Sequence, residues 1–513
     1  MERERGLRDG LLSTSTKAQD RPVAVSYVDH ALLPLRVHVE REALLERADL
    51  ALEILAVAWQ DQVIEQGYDA PLPDEGEGGD ERLDVYLRGL GEFSGRTTRG
   101  EDVSSLDGKA ASFAFMEISS TLDEVTFRAT LQHEFAHVLQ FSIDTRASLM
   151  FFEASAVFQE ALASPEQVDW ALSLAEFQQY PNAPFNVDGI AWQALTFEQS
   201  FVEYGAAFFL LYLDETYGEA DGKWIQELWA GNVQSDDVEG NEPDFVDVME
   251  EKLFPILGGD ALAKIVLDFA TWRILVSALA DSEVGYSNAE ALSLDDLLKT
   301  RRLTSGALSS VFTFSGVDAL HQGGCVVLEY TPTAESSLIL SATNQGVDVD
   351  STLQVSWLTR LAGQGVVRGT SEERGRSVNV PLEVAAGHTL FAAICAPKVT
   401  DPEDELKSIA VEVKLSHASD VFDAGMADAG HFFDAGDPVE PEPDVVCGCQ
   451  GVPSRGRSNG KGPFAAIRPY VFIGMASISL IMMIIRGRRA FRRKKEFRGS
   501  SWSQDRSEDS KKK

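Results

Sequence analysis

Positive charge and cysteine are both scarce in this sequence. Lys and Arg number 45 against 81 Asp and Glu among 513 residues, which gives a formal net charge of −36. A chain this acidic is repelled by nucleic-acid phosphates, which argues against DNA or RNA as a partner. Only four cysteines occur. Cys325 and Cys395 lie in one stretch of β-type sequence, and we expect them to form a disulfide if the chain is exported.

A signal peptide is not recognisable at the N-terminus. Residues 1–20 are polar and rich in Arg and Glu, with no apolar run of about 7–15 residues after a basic start. Either the protein is cytoplasmic or its true start lies upstream of Met1, and the C-terminal sequence favours the second interpretation.

The C-terminal region predicts a membrane anchor. Residues 469–485 carry no charge and are followed by a cluster of Arg and Lys; residues 451–513 hold 16 Lys and Arg against 4 Asp and Glu. This balance places the C-terminus in the cytoplasm and the acidic body outside. With Cys447 and Cys449 upstream, the arrangement resembles the C-terminal sorting signal of myxobacterial proteins. A plain membrane anchor without processing is the alternative.

A His-Glu-Phe-Ala-His motif at residues 133–137 is the strongest chemical signal. His133 and His137 are four residues apart in a predicted helix, so both imidazoles project from one face. That spacing suits two ligands of a tetrahedral Zn²⁺ ion, and Glu134 is placed to take a proton from a zinc-bound water. The apolar residues between them indicate a buried helix. The alternative is two ordinary core histidines.

A second apolar helix, predicted over residues 151–160, supplies carboxylates. Glu153 and Glu160 are seven residues apart and therefore lie on one helix face. A buried carboxylate is costly unless it is paired or binds a metal. Glu153 is therefore the predicted third zinc ligand, and Glu160 is predicted to hydrogen-bond a ligand imidazole.

The order of these motifs resembles the gluzincins, the zinc peptidases related to thermolysin and aminopeptidase N. More narrowly, it is similar to secreted metallopeptidases of myxobacteria and their relatives, over about residues 111–218. Ala154 stands where the family usually has Gly, and Phe-Phe at residues 151–152 stands where it usually has Trp-Leu. The metzincins are excluded, because Gln140 and Ile143 occupy positions where that group requires Gly and His.

The resemblance implies further roles within a zincin-like catalytic domain. Gluzincins carry a Tyr near the scissile carbonyl, where its hydroxyl stabilises the oxyanion. Tyr204 matches that position loosely, and Tyr180 is a rival. In zinc peptidases of this type the substrate adds as a strand to a sheet edge just before the His-Glu-x-x-His helix. Residues 113–118 are the predicted edge strand.

Two other stretches complete the domain organisation. Residues 69–81 form an acidic Gly/Pro loop, which is either solvated or a Ca²⁺ site. The candidate Ca²⁺ ligands in this loop are Asp74, Glu75, Glu77 and Asp80. After about residue 306, short β-type runs separated by turn residues predict an antiparallel sandwich. It is similar to the small β domains that follow secreted bacterial peptidases, and we expect an accessory role in stability or substrate contact.

The predicted fold class is α+β, with a zincin-like catalytic domain of mixed sheet and helical lobe, an all-β sandwich domain and a C-terminal transmembrane helix. The predicted segments are a disordered leader (1–25), the metallopeptidase domain (26–302), the β-sandwich (306–417), a disordered acidic linker with Cys-x-Cys (418–468), the transmembrane or sorting helix (469–485) and a basic cytoplasmic tail (486–513).

The predicted function is zinc-dependent hydrolysis of a protein or peptide substrate by an enzyme displayed on, or released from, the cell surface. In this interpretation His133, His137 and Glu153 hold Zn²⁺, and Glu134 is the general base. One alternative is a catalytically silent surface adhesion or binding protein that retains the fold. The intact Glu134 counts against it, because binding alone has no need of that carboxylate. A cytoplasmic enzyme with a fortuitous apolar C-terminal segment is the other alternative.

Overall fold

The structure, a computed structural model, describes residues 21–91, 93–104, 110–164, 171–186, 202–232, 243–281, 283–292, 298–304, 307–346, 351–361, 364–400 and 407–420. These residues belong to one compact unit that runs to His431. Cys447, Cys449, the predicted membrane helix and the predicted basic tail lie outside the described residues. Within the described ranges, no helix combines the length and the apolar character needed to cross a bilayer.

The sheet of the N-terminal half is mixed, with an antiparallel strand at each edge. Its strands are β1 (Ser26–Asp29), β2 (Leu35–Val39), β3 (Leu83–Arg88), β4 (Gly95–Ser104) and β5 (Ala110–Ser119). Their spatial order is β1-β2-β3-β5-β4, in which β2, β3 and β5 run parallel. Buried side chains such as Val37, Val85 and Met116 join the helices in one hydrophobic core.

The prediction of an edge strand at residues 113–118 is wrong. These residues lie in β5, which is hydrogen-bonded to β3 on one side and to β4 on the other. The edge strand is β4, whose sequence GRTTRGEDVS shows no alternation of apolar residues. An edge strand has one side open to solvent and tolerates polar and charged residues, so it gave no strand signal.

The helices are α1 (Leu45–Ala58), α2 (Glu124–Phe141), α3 (Leu149–Ala163), α4 (Ala171–Gln178), α5 (Val202–Gly205), α6 (Ala207–Tyr217), α7 (Lys223–Gly231), α8 (Phe245–Leu257) and α9 (Ala261–Trp272). The predicted helices that carry the His-Glu-x-x-His motif and Glu153 are confirmed as α2 and α3. Both begin at a side-chain N-cap, with Asp123 accepting from the Thr126 N–H (3.0 Å) and Ser148 accepting from the Phe151 N–H (3.2 Å).

Three further sheets, of four, five and two strands, form the C-terminal part of the described chain. Their strands are β6 (Thr300–Leu303), β7 (Val311–Phe314), β8 (Leu320–His321), β9 (Cys325–Tyr330), β10 (Ser336–Asn344), β11 (Gln354–Arg360), β12 (Val367–Thr370), β13 (Ser377–Val384), β14 (Thr389–Cys395), β15 (Ser408–Ile409) and β16 (Val411–His417). Sheets β13-β10-β16-β7 and β12-β11-β14-β9-β6 share a core, and β8 pairs with β15. The predicted disulfide is confirmed: Cys325 and Cys395 join β9 to β14.

The five-stranded sheet of this pair also packs against the helical lobe. Helix α9 contacts β11 and β14, and Phe391 of β14 belongs to the same core as the helices. Backbone bonds reinforce the contact, since the Cys325 N–H donates to the Pro181 carbonyl at 2.7 Å. In addition, the side-chain amide of Asn182 donates to the Ala319 carbonyl at 2.9 Å. The β structure is therefore built into the helical lobe rather than attached to it by a linker.

Two arginines form ion pairs with the acidic loop at residues 69–81, for which the sequence predicts either a solvated loop or a Ca²⁺ site. Arg21 donates to Asp74 (Nη2 to Oδ2, 2.6 Å) and to Glu77 (Nε to Oε2, 3.2 Å), and Arg36 donates to Asp80 (2.9 Å). Asp74 is buried, with 4% of its surface exposed. Glu75, Gly76, Gly78, Gly79 and Glu81 are exposed, as expected of a solvated loop, whereas Asp74, Glu77 and Asp80 are paired with arginines. Because Arg21 makes these contacts, the ordered domain begins before the predicted boundary at residue 26.

We expect Arg21→Met to destabilise the fold. Arg21 also pairs with Asp84, so its loss leaves two buried carboxylates, Asp74 and Asp84, without their common cation. Removing one member of a buried ion pair costs about 3–5 kcal/mol, which urea denaturation would measure as a lower free energy of unfolding. Lys299→Met is the matched control, because the Lys299–Asp318 pair is 45% and 50% exposed and such pairs stabilise little. Equal effects of the two variants would contradict the expectation.

Candidate metal centre

Helix α2 brings two imidazoles together at its buried face. His133 and His137 are 8% and 6% exposed, and their Nε2 atoms lie 3.0 Å apart. The separation follows from their positions one turn apart, with both side chains leaning in the same direction. Two ring nitrogens this close either share a proton or bind a common cation.

Helix α3 adds a carboxylate to the pair. Glu153 Oε2 lies 3.3 Å from His133 Nε2 and 3.5 Å from His137 Nε2. A tetrahedral ion with ligand bonds of about 2.0–2.1 Å separates its ligand atoms by about 3.3 Å. The three distances are therefore those of one face of a tetrahedral coordination shell.

The chemistry of the donor atoms fits a metal ion. Glu153 Oε2 is buried and accepts no hydrogen bond from the described residues, although two imidazole nitrogens lie within 3.5 Å of it. This is expected when three donor atoms point at a shared centre rather than at one another. Within the described part of the chain, these three residues form the group of His, Cys, Asp and Glu side chains able to hold a metal.

Each histidine ring is held in place by a hydrogen bond at its Nδ1 atom, on the side of the ring away from the cluster. Glu160 Oε1 lies 2.7 Å from His133 Nδ1, as predicted, and Gln140 Oε1 lies 2.7 Å from His137 Nδ1. The Gln140 amide donates to the Ser155 hydroxyl at 2.9 Å, which directs its oxygen towards the imidazole. Hydrogen bonds of this kind hold the proton on Nδ1 and leave Nε2 free to bind a metal.

The contact made by Gln140 was not predicted from the sequence. The sequence pattern gives Gln140 no role in the site, and its identity at this position only argues against the metzincins. The signal that could have found it is its position three residues after His137, on the same helix face.

The charges of the centre are strongly coupled. Burial alone would lower the pKa of His133, but the neighbouring Glu153 and Glu160 carboxylates raise that pKa well above the usual range. Burial would raise the pKa of Glu153, yet the two imidazoles lower it well below the usual range. Glu153 is therefore ionised at neutral pH, which is the form a metal ligand needs.

Glu134 lies beside this cluster and faces the edge strand. Its carboxylate Oε2 accepts a hydrogen bond from the Thr97 hydroxyl at 2.7 Å. Burial raises the pKa of Glu134, against the lowering effect of His133, His137 and Thr97. A buried carboxylate with a raised pKa next to a candidate metal centre has the properties of a proton acceptor.

Of the two candidate tyrosines, Tyr204 lies at the cluster. Its ring stacks parallel to the His133 imidazole, with centroids 5.8 Å apart. Burial and the neighbouring Glu153 carboxylate raise the pKa of Tyr204 well above the usual range, so its hydroxyl keeps its proton. Tyr180 packs against the helical core, where burial and then the charge of Glu176 raise its pKa.

Comparison with known proteins does not assign the chain to a family. No family model matches the chain, and no curated protein matches it. Among solved structures, the pre-peptidase C-terminal domain of a Bacillus anthracis collagenase is 11% identical, covering 23% of this chain and 95% of that domain at a TM-score of 0.16. Aeromonas hydrophila PliG, a periplasmic inhibitor of g-type lysozyme, is 10% identical over 23% and 94% of the two chains, with a TM-score of 0.15. Scores this low assign neither fold nor function.

We expect the chain to bind one divalent metal ion, and Gln140→Leu to weaken that binding. Leu fills a similar volume but cannot fix the His137 imidazole, and loss of such a partner typically lowers metal affinity about 10–100-fold. Competition with a chromophoric chelator measures the dissociation constant.

Gln159→Leu is the matched control for Gln140→Leu. Gln159 is also a buried glutamine of this helix pair, but it exchanges amide hydrogen bonds with Gln66 at 3.0 and 2.7 Å. Its replacement is expected to leave metal affinity unchanged. If both variants weaken binding equally, the effect reflects general destabilisation and not the orientation of His137.

Proposed function

We propose that the protein is a zinc-dependent peptidase of the gluzincin type. The observation that carries this proposal is the convergence of His133, His137 and Glu153 at tetrahedral spacing, with Glu134 beside them. Two imidazoles and one carboxylate are a ligand set typical of hydrolytic zinc sites, in which a fourth position is open to water. The ligand residues and their order in the chain agree with the gluzincin pattern.

The proposed catalytic domain is zincin-like, with β4 as the substrate-binding edge. β4 contacts α2 and is the outermost of the described strands on that side of the sheet. In this proposal an extended peptide pairs with the outer edge of β4 and lies along the metal centre. The sequence led us to expect substrate binding at residues 113–118, but these residues lie inside the sheet. We therefore propose this role for β4.

In the proposed reaction the side chains move protons and orient groups around the scissile bond. A bound Zn²⁺ ion would polarise the peptide carbonyl and make a nearby water more acidic. Glu134 accepts a proton from the attacking water at its carboxylate and delivers it to the nitrogen of the leaving amine. Tyr204, whose hydroxyl stays protonated, donates a hydrogen bond to the developing oxyanion.

Replacement of the general base tests the proposal. We expect the full-length chain to bind one zinc ion and to cleave a denatured protein substrate. Glu134→Gln should keep the zinc and lose about 10²–10⁴-fold in kcat, because an amide accepts no proton. Glu124→Gln is the matched control, since Glu124 lies in the exposed first turn of the same helix.

The outcomes of this experiment separate the candidate functions. Zinc bound by both forms without cleavage by either would favour the silent binding protein. No zinc at all would mean that the histidines are core residues. Tyr204→Phe, measured alongside, is expected to lower kcat with the zinc content unchanged; an unchanged kcat would remove Tyr204 from the mechanism.

We further propose that the enzyme is displayed outside the cytoplasm. The disulfide between Cys325 and Cys395 supports this, because such bonds persist in oxidising compartments. Residues 469–485 would anchor the chain in the membrane, and Cys447 and Cys449 would serve its sorting or processing. A protease added to intact producing cells should then digest the catalytic domain. Digestion only after cell lysis would contradict display.

A further inference from the structure

The edge strand β4 touches the carboxylate of Glu134 at two points. Gly95 and Thr97 are two residues apart, so they face the same side of the strand, towards α2. The Thr97 hydroxyl lies 2.7 Å from Glu134 Oε2 and 3.0 Å from the Glu134 carbonyl oxygen. Thr97 is only 7% exposed, so water hardly competes for this hydrogen bond.

Gly95 leaves the space into which the Glu134 side chain fits. A Cβ atom built on Gly95 would lie 2.7 Å from Glu134 Oε1 and 2.8 Å from Glu134 Cγ. It would also lie 2.6 Å from the Cγ2 atom of Thr130, one helical turn before Glu134. These separations are shorter than van der Waals contact, so any larger residue at position 95 must displace the carboxylate or the helix.

We infer that Gly95 and Thr97 form a contact on the edge strand that holds the general base in place, with Thr97 as a positioning residue. This inference rests on the proposed function of Glu134. The Thr97 hydroxyl fixes Oε2 of the Glu134 carboxylate. Because Gly95 has no Cβ, the other carboxylate oxygen, Oε1, can approach the strand. Because the proposed substrate lies on the same strand, the contact sets the distance between the base and the bond to be cleaved. A displacement of about 1 Å in such a site can cost about 100-fold in rate.

Substitutions at position 97 separate the hydroxyl from the shape of the side chain. Thr97→Val keeps the volume and removes the donor, and we expect kcat to fall about 10–100-fold with KM and zinc content unchanged. Thr97→Ser keeps the hydroxyl and should stay within about threefold of wild type in kcat. Thr98→Val is the matched control, because Thr98 is also buried but faces the opposite side of β4. A merely structural role for Thr97 predicts equal effects of the two valine variants, which would overturn the inference.

A variant at position 95 provides a readout that does not depend on activity. Gly95→Ala should shift the Glu134 carboxylate by about 1 Å in a crystal structure of the zinc-loaded protein, since the added Cβ overlaps it. If the wild-type chain binds zinc but cleaves nothing, the proposed function fails, and the crystal structures then decide the inference alone. A carboxylate that keeps its position in both Gly95→Ala and Thr97→Val would overturn it.

Discussion

Three donor atoms from two buried helices converge within 3.5 Å of one another, and the packing of those helices determines this convergence. His133 and His137 are fixed relative to each other by the turn of α2, but Glu153 comes from α3 and depends on how the two helices pack. Behind α3, Trp229 stacks on Phe151 with centroids 4.5 Å apart and donates to the Ser155 hydroxyl at 3.0 Å. A rotation of α3 would break these contacts before it moved Glu153 far. The apolar packing therefore sets the geometry of the polar site.

Hydrogen bonds explain how the polar side chains of α2 and α3 can be buried together. Each imidazole has a partner at Nδ1, and the Glu134 carboxylate has a partner on the edge strand. Buried polar groups without partners cost several kcal/mol, so a cluster of this size persists only when nearly all of its groups are satisfied. Among the described residues, Glu153 Oε2 is the exception: it lies 3.3 and 3.5 Å from the two imidazole Nε2 atoms but accepts no directed hydrogen bond. An oxygen that faces two ring nitrogens in this way is suited to bind a cation together with them.

Local patterns predicted much of this site, and long-range contacts account for what was missed. The positions of His133, His137, Glu153 and Glu160 follow from helical spacing, because i, i+4 and i, i+7 pairs share a face in any α-helix. The edge strand β4 could not be recognised, since strand pairing rather than residue pattern defines it. Arg21 reaches Asp74 across 53 positions of the chain, and no local rule connects them. The contact between Gly95 and Glu134 depends on the distance between a strand and a helix, which the sequence does not encode locally.

The two histidines are supported differently, and the difference follows from charge. His133 is backed by the carboxylate of Glu160, whereas His137 is backed by the neutral amide of Gln140. The centre already contains Glu134, Glu153 and Glu160 within a region that largely excludes water. A fourth carboxylate at position 140 would repel the other three at low dielectric and raise their pKa values. That would weaken Glu153 in its proposed role as a metal ligand, for which it must stay ionised. The neutral amide still fixes the imidazole through its oxygen, and its NH₂ group is satisfied by Ser155 and by the Phe152 carbonyl.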